Sequence, residues 1–320
     1  MKRFLKILAI VFGVIAVALA TVAAWVQFTP FPTFEVHPQE VTLPTDSISL
    51  AQGKKIVETV CVHCHMGKDG KLSGRQFTPK DDPFGIMYSG NITQHTTKGI
   101  GRYTDGELAW LMRTGTNRDG RFVGLMMTHP NMSDQDLASI IAYLRSDAGI
   151  VQPSEAVHPK PEYLNSFLVK ALVKLGLYKP LSFDGKPVPA IDPNDQIAYG
   201  RYLATEIFEC SICHSASFET NDLVNPEKSP NFFGGGNPVP DEDFKVVLSA
   251  NITPSQQHGI GNWTADQFKA AVRTGMRPDG KVLTPNMPRF GQLSDRELDA
   301  IWAYLQTVPA IEQGVKAADK

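Results

Sequence analysis

The sequence carries one five-residue pattern twice, as Cys61-Val62-His63-Cys64-His65 and as Cys210-Ser211-Ile212-Cys213-His214. The two copies contain all four cysteines of the 320-residue chain. Two thiols one helical turn apart can form a disulfide, bind zinc or add to the vinyl groups of a haem, and a His directly after the second Cys is typical of c-type haem attachment. A zinc site with four thiolates is the structural alternative, but the pairs lie 149 residues apart, far beyond the spacing of a zinc ribbon. We therefore expect two covalently bound haem c groups, with Cys61, Cys64, Cys210 and Cys213 as tethers and His65 and His214 as proximal iron ligands.

A longer repeat surrounds each copy of this pattern. Ser89–Thr93 recurs as Ser249–Thr253 with an offset of 160, whereas 142–144 recurs as 303–305 with an offset of 161. The two repeats therefore differ in length by one residue before Ser133. Internal repetition of this kind indicates two copies of one structural unit.

The hydrophobic periodicity of each repeat is helical. Ser294 with Glu297 forms a capping box in front of apolar residues spaced i, i+3, i+4 and i+7. Helices are predicted to start in the same way at Ser133, at Thr104 with Glu107 and at Thr264 with Gln267. Two approach helices, which lead into the Cys patterns, are predicted along 50–59 and 196–207. No stretch alternates long enough to predict a sheet. The sequence therefore predicts an all-α fold.

The N-terminal segment predicts a membrane span. Twenty uncharged positions, 7–26, come after the basic residues Lys2, Arg3 and Lys6. Trp25 and Phe28 lie at the far end of this run, where aromatic side chains favour the membrane interface. A cleaved signal peptide is the alternative, since 18–20 reads Ala-Leu-Ala. The length of the run and the terminal aromatics favour a retained single anchor, and either interpretation exports the remaining chain.

Between the repeats lies a proline-rich linker with one short amphipathic helix, whose apolar stripe runs from Leu164 to Leu175. Only Lys170 and Lys174 supply positive charge there, so we expect this helix to pack between the two repeats rather than on a membrane surface. The predicted organisation is an anchor or signal segment at 1–30, domains at 45–150 and 196–310, and the linker at 151–195.

Composition narrows the function classes further. The chain is 42% hydrophobic and 20% charged, with a formal net charge of −2, so it has apolar content for folded cores. It has no dense basic run after residue 6, which argues against a nucleic-acid partner. No Ser-His-Asp or metal-hydrolase pattern indicates other chemistry.

A Met thioether is a suitable sixth ligand to haem iron opposite a His. In the second repeat we predict Met287, within Pro285-Asn286-Met287-Pro288. The two repeats differ by one residue, so the equivalent of Met287 in the first repeat depends on the starting point. Counting forward from the Asp-Gly pair gives Met127, and counting back from the Ser-Asp pair gives Met126. We favour Met127 and keep Met126 as the alternative; His129 would give a bis-His centre instead.

Haem propionates require hydrogen-bond donors, and Arg113, Arg273 and Trp263 are candidates. The alternative for each Arg is an ordinary surface ion pair. Asn91 and Asn251 match a glycosylation sequon, but their equivalent positions indicate a structural turn beside each haem.

Taken together, these motifs resemble tandem class I c-type cytochrome domains. The series of short motifs Asn-Ile-Thr, Gly-Ile-Gly, Arg-Thr-Gly and Asp-Gly is similar to that in the cytochrome subunits of periplasmic membrane-associated dehydrogenases. The resemblance covers 45–150 and 196–310, and it implies a small helical fold around each haem with His and Met ligation. The first repeat departs from the family pattern, because Met126-Met127 is followed by Thr128 where Pro is expected.

The resemblance implies an electron-transfer function rather than an enzymatic one. We expect an exported di-haem cytochrome on the bacterial cytoplasmic membrane, with haem domains in the periplasm. It would relay electrons from a periplasmic dehydrogenase to the respiratory chain, through a terminal oxidase or another acceptor. The alternative is a di-haem enzyme, a peroxidase or thiosulfate-type dehydrogenase, in which one haem keeps an open coordination position. A ligand-sensing haem protein would need the same open site.

Overall fold

The computed structural model describes residues 2–80, 82, 85–123, 128–159, 166–241 and 243–313. The described chain is predominantly helical. Its α-helices are α1 Lys2–Phe28, α2 Ser47–Ile56, α3 Val62–His65, α4 Asp105–Thr114, α5 Asp134–Leu144, α6 Phe167–Lys174, α7 Gln196–Tyr202, α8 Cys210–His214, α9 Ala265–Thr274 and α10 Asp295–Leu305. Its strands are β1 Pro238–Pro240 and β2 Val246–Leu248, which pair antiparallel.

Each repeat is built on a close crossing of its first and last helices. In the first repeat α2 crosses α5, and in the second α7 crosses α10. A Cβ atom on Gly53 would overlap the Ser139 carbonyl, and one on Gly200 would overlap the Ala300 carbonyl. Glycine therefore sets the distance between the two backbones at both crossings.

The predicted helix starts are present. Thr104 with Glu107 and Thr264 with Gln267 form reciprocal capping boxes at α4 and α9. Ser294 with Glu297 does the same at α10, and Ser133 caps α5. These caps satisfy backbone N–H groups that the first helical turn leaves without partners.

Two local features differ from the sequence expectation. The approach helices end in π-helical segments, Val57–Cys61 and Leu203–Ile207. The first ends on the first Cys of its pattern, and two residues separate the second from Cys210. The hairpin of β1 and β2 was also not predicted, because three-residue strands are too short to show alternation.

The two repeats pack against each other through a common core and several polar contacts. One cluster of buried apolar side chains includes residues of both repeats. The Tyr202 hydroxyl of α7 donates to Asp136 Oδ2 at 2.6 Å and accepts from the Ser133 N–H at 2.9 Å. Lys55 of α2 pairs with Glu297 of α10 at 2.5 Å. These contacts fix the second repeat against the N-terminal end of α5 and the C-terminal end of α2.

The linker helix lies in a different place from the one expected. We expected it to lie between the repeats, but α6 packs against α1. The Lys174 ammonium donates to the Val26 carbonyl at 2.7 Å and to the Thr29 carbonyl at 2.5 Å, at the C-terminal end of α1. That end of a helix has carbonyls without helical partners and a negative partial charge, both of which favour a lysine.

Candidate haem sites

Each Cys pattern is helical: the second forms α8, and the first forms α3 together with Cys61 at the end of the preceding π-helical segment. The four cysteines form no disulfide, and each residue keeps part of its surface exposed. Within the described residues there is no group of three or more His, Cys, Asp or Glu side chains arranged to hold a metal ion. Each turn therefore presents two unlinked thiols and a following imidazole on one short element.

The two histidines are held in the same way. His65 Nδ1 lies 2.7 Å from the Gly90 carbonyl, and His214 Nδ1 lies 2.7 Å from the Ala250 carbonyl. A carbonyl oxygen can only accept, so Nδ1 carries the proton in both rings and Nε2 keeps its lone pair. Burial lowers the pKa of both imidazoles and favours this neutral form. This tautomer and orientation fit a ring whose Nε2 binds haem iron.

A second matched contact holds the backbone of each histidine. The Gly74 N–H donates to the His65 carbonyl and the Gly235 N–H donates to the His214 carbonyl, both at 2.8 Å. Both glycines have positive φ, 90° and 74°. A Cβ on either would overlap a carbonyl of the strand-like segment that follows, so the close approach requires glycine.

Met287 lies on an irregular loop with three restraints. Its side chain is partly buried against the apolar core. Asn286 Nδ2 donates to the Val239 and Lys245 carbonyls, both at 2.8 Å, which ties the loop to the hairpin. Arg289 donates to the Met287 carbonyl and, at 2.5 Å, to the Leu283 carbonyl. The loop is thus fixed on both sides of the thioether.

Met126 and Met127 lie outside the described residues. The described chain on either side is anchored to α4. The Val123 N–H donates to the Gly115 carbonyl at 2.9 Å, and the His129 N–H donates to the Met112 carbonyl at 2.7 Å. The described residues on both sides of the predicted axial ligand thus lie beside α4.

The two arginines considered as propionate donors have other partners. Arg113 is fully buried, and its guanidinium donates to the carbonyls of His129, Pro130 and Met132 and pairs with Asp134 at 2.6 Å. It is therefore neither an exposed propionate donor nor an ordinary surface pair. Its Nη atoms hold the segment that leads from the first axial loop into α5, whereas its buried Nε has no hydrogen-bond partner within the described chain.

Arg273, at the equivalent position of the second repeat, is less buried. It donates to the Leu293 carbonyl at 2.8 Å and pairs with Asp295 at 2.7 Å, with 30% of its side chain exposed. Arg273 is therefore better described as a member of a surface ion pair than as a donor to a haem propionate.

The two Asn-Ile-Thr segments form the same turn, as expected. Asn91 Oδ1 accepts from the Thr93 N–H at 3.0 Å, and Asn251 Oδ1 accepts from the Thr253 N–H at 2.9 Å. The Asn251 side chain also donates to the Ile311 carbonyl at 2.8 Å. Both amides are used within the fold.

The electrostatics of the thiols link the two repeats. Burial raises the pKa of Cys213 to about 12, and the charges of Glu209, Cys210 and Cys64 add to the increase. Burial likewise raises the pKa of Cys61 to about 12, with Glu209 as the next cause. Charges on one repeat therefore act on thiols of the other.

Comparison with known families identifies these units. A cytochrome c family model matches residues 50–147, and the model of the cytochrome c oxidase cbb3-type subunit III matches residues 195–305. The chain contains two cytochrome c domains in tandem. This confirms the predicted fold class, all-α with two such domains behind one apolar N-terminal helix. By length and composition, α1 is the one described helix able to cross a membrane.

The cytochrome is similar to several curated proteins. The fructose dehydrogenase cytochrome subunit of Gluconobacter japonicus is 30% identical over 260 residues, covering 78% of this chain and 50% of that protein. The cytochrome c subunit of alcohol dehydrogenase (quinone) from Gluconacetobacter polyoxogenes is 29% identical, covering 78% and 54%. A diheme cytochrome c-type protein of Cereibacter sphaeroides is 29% identical, covering 79% and 83%. The chain thus spans about half the length of the first two relatives.

One residue of the site was missed by the sequence analysis. Glu209 precedes Cys210 with a left-handed φ of 50°, and its side chain is 6% exposed. Its Oε1 lies 3.3 Å from His129 Nδ1 of the other cytochrome domain, and within the described chain its Oε2 has no hydrogen-bond partner. Burial raises the pKa of Glu209 well above its usual value, and Glu206 adds to the increase. The available sequence signal was the acidic residue directly before Cys210, since the first repeat has Val60 at the equivalent position.

Proposed function

We propose that this cytochrome is an exported electron carrier that holds two covalently attached haem c groups. The thiols of Cys61 and Cys64 attach one, and those of Cys210 and Cys213 attach the other. His65 and His214 are the proximal ligands. Met287 is the distal ligand in the second domain, with Met127, or Met126 in its place, in the first.

The observation that carries this proposal is the matched geometry of the two imidazoles. Each has its Nδ1 proton on a backbone carbonyl at 2.7 Å and its own carbonyl on a glycine N–H at 2.8 Å. Such restraints hold a ring in one orientation and raise the basicity of Nε2. Two sites with the same restraints support two equivalent ligand sets.

The chain's part in electron transfer is to keep both ligand sets rigid and close together. When bound, each haem supplies one iron that accepts and releases a single electron. The crossings at Gly53 and Gly200 and the restraints on Asn286 and Arg289 limit movement around the irons. Glu209, directly before Cys210, lies 3.3 Å from His129 of the first domain, which supports a short path from one domain to the other.

The dehydrogenase-subunit relatives support a dehydrogenase as the electron donor and a respiratory-chain component as the acceptor. We further propose that α1 is retained as a membrane anchor with both domains in the periplasm. Val26, near the end of α1, is 1% exposed, and Lys174 binds the carbonyls there. These contacts join the anchor to the folded chain.

The haem content of paired variants tests the attachment sites. Purified wild-type protein should contain two haems per chain by pyridine haemochrome assay and mass spectrometry. A C61S/C64S variant and a C210S/C213S variant should each retain one, and each serves as the other's control. One haem in the wild type, or equal loss of both haems from variants that still fold, would contradict the proposal.

A further inference from the structure

The linker helix and its continuation expose an unusual cluster of large apolar side chains. Phe167, Leu168, Leu175 and Leu177 are exposed by 49%, 52%, 57% and 72%. They lie within eleven residues of one another, whereas apolar side chains exposed singly are ordinary on protein surfaces. A cluster of this kind indicates a surface that is covered in the working protein.

The charge of the same stretch has one sign. Residues 166–182 contain Lys170, Lys174 and Lys179 and no Asp or Glu. The chain as a whole has a formal net charge of −2, so this stretch opposes the overall balance. Lysines beside exposed apolar side chains suit an interface that is apolar on one side and anionic at its rim.

The position of α6 indicates what that interface is. Val169 and Val173 are buried, 7% and 8% exposed, and α6 packs on the C-terminal end of α1. The Lys174 ammonium lies 5.6 Å from the centre of the Trp25 ring. Aromatic and lysine side chains at the end of a membrane span lie at headgroup depth, so a helix fixed there meets the same layer.

The chain that follows α6 is attached to the first cytochrome domain. The Leu181 N–H donates to the Thr114 carbonyl at 3.1 Å, and the Tyr178 ring packs on Phe122 with a centroid distance of 5.0 Å. The position of α6 relative to the membrane therefore also sets the position of α4 and of the domain built around it.

We propose that 166–177 lies in the periplasmic surface of an anionic phospholipid bilayer. Phe167, Leu168, Leu175 and Leu177 contact acyl chains, and the exposed Lys179, just beyond, faces lipid phosphates. Lys170 donates to the Gln27 carbonyl of α1 at 3.4 Å. The surface so formed, together with α1, gives the first cytochrome domain two points of membrane attachment and one fixed orientation. This inference rests on the proposed retention of α1 as an anchor.

Depth measurements on the full haem-loaded chain in nanodiscs test it. All four native cysteines are consumed by haem attachment in the proposed function, so L168C introduces a single thiol for a nitroxide label. L19C labels α1 within the bilayer, and V282C labels an exposed position of the second domain, where Val282 is 62% exposed. The discs contain phosphatidylethanolamine and phosphatidylglycerol, and the collision rates with oxygen and with a water-soluble nickel complex are compared.

The proposal expects a several-fold higher ratio of oxygen to nickel collisions at L168C than at V282C, approaching the ratio at L19C. In the K179E background the L168C ratio should fall while the L19C ratio stays unchanged. A nickel-accessible L168C with a protected L19C would overturn the inference and leave the anchor intact. A nickel-accessible L19C would overturn the anchor itself. Protection of L168C from both reagents would show cover by protein and would also overturn the inference.

Discussion

Replacement of Arg113 by Met should destabilise the first domain far more than the matched change at Arg273. Arg113 is fully buried and its guanidinium supplies donors to three carbonyls, those of His129, Pro130 and Met132. Leaving a buried acceptor without a donor costs about 1–3 kcal/mol. Met fills much of the space of the arginine stem, so the loss of polar partners dominates over the loss of packing.

Because the three carbonyls lie close together, the free-energy costs of leaving each without a donor do not add fully. Asp134 also loses its ion-pair partner. The expected loss for R113M is about 3–5 kcal/mol, the range for removing one member of a buried charged network. Arg273 serves one carbonyl, and 30% of its side chain is exposed to water that can replace it. R273M should therefore lose about 1 kcal/mol.

The assay is guanidinium-induced unfolding of the haem-loaded variants, followed by far-ultraviolet circular dichroism and by the Soret band. Equal losses from the two variants, or a loss below about 1 kcal/mol for R113M, would refute the argument from buried carbonyls. R113K, which keeps the charge but offers a different donor geometry, should recover part of the stability.

Three further outcomes follow from the structure. Gly200→Ala should lower the free energy of unfolding by about 1–3 kcal/mol, because the added Cβ overlaps the Ala300 carbonyl. Gly149→Ala is the control: no atom lies within 4 Å of the added Cβ, so the same denaturation assay should show almost no change. Glu209→Gln should stabilise the protein increasingly as pH rises, since burial keeps the native carboxyl protonated above the pKa of the unfolded chain. The stability difference from wild type should grow by about 1.4 kcal/mol per pH unit between the unfolded-state and native-state pKa values, and parallel wild-type and variant curves between about pH 5 and 8 would contradict it. Asn286→Ala removes two hydrogen bonds from the second axial loop and should make half of the reduced haem partly accessible to carbon monoxide, with unchanged haem content as the control.

Local chemistry explains why much of the fold was predictable from the sequence. Capping boxes such as Thr104 with Glu107 depend on residues three apart, and the sequence displays them directly. The duplicated pattern places a Cys pair and a His on one turn for the same reason. The backbone carbonyls of Gly90 and Ala250, which orient the imidazoles, carry no side-chain signature and were not predictable.

The errors came from contacts between distant parts of the chain. The partners of Arg113 are mainly backbone oxygens 16 to 19 residues away, so the side chain alone indicated a donor without indicating its acceptor. The position of α6 depends on packing with a helix more than 140 residues earlier. Glu209 faces His129 because the two domains pack together, a contact that neither repeat shows by itself.

Carbon monoxide binding to the dithionite-reduced protein tests the central claim most directly, with haem counted per chain. If His and Met close both irons, two haems per chain should be found, with no spectral shift in the wild type. M287A should then shift half of the haem. A shift of half the haem in the wild type would contradict the electron-carrier proposal and indicate an open site, for which peroxide and thiosulfate would be the first substrates to test.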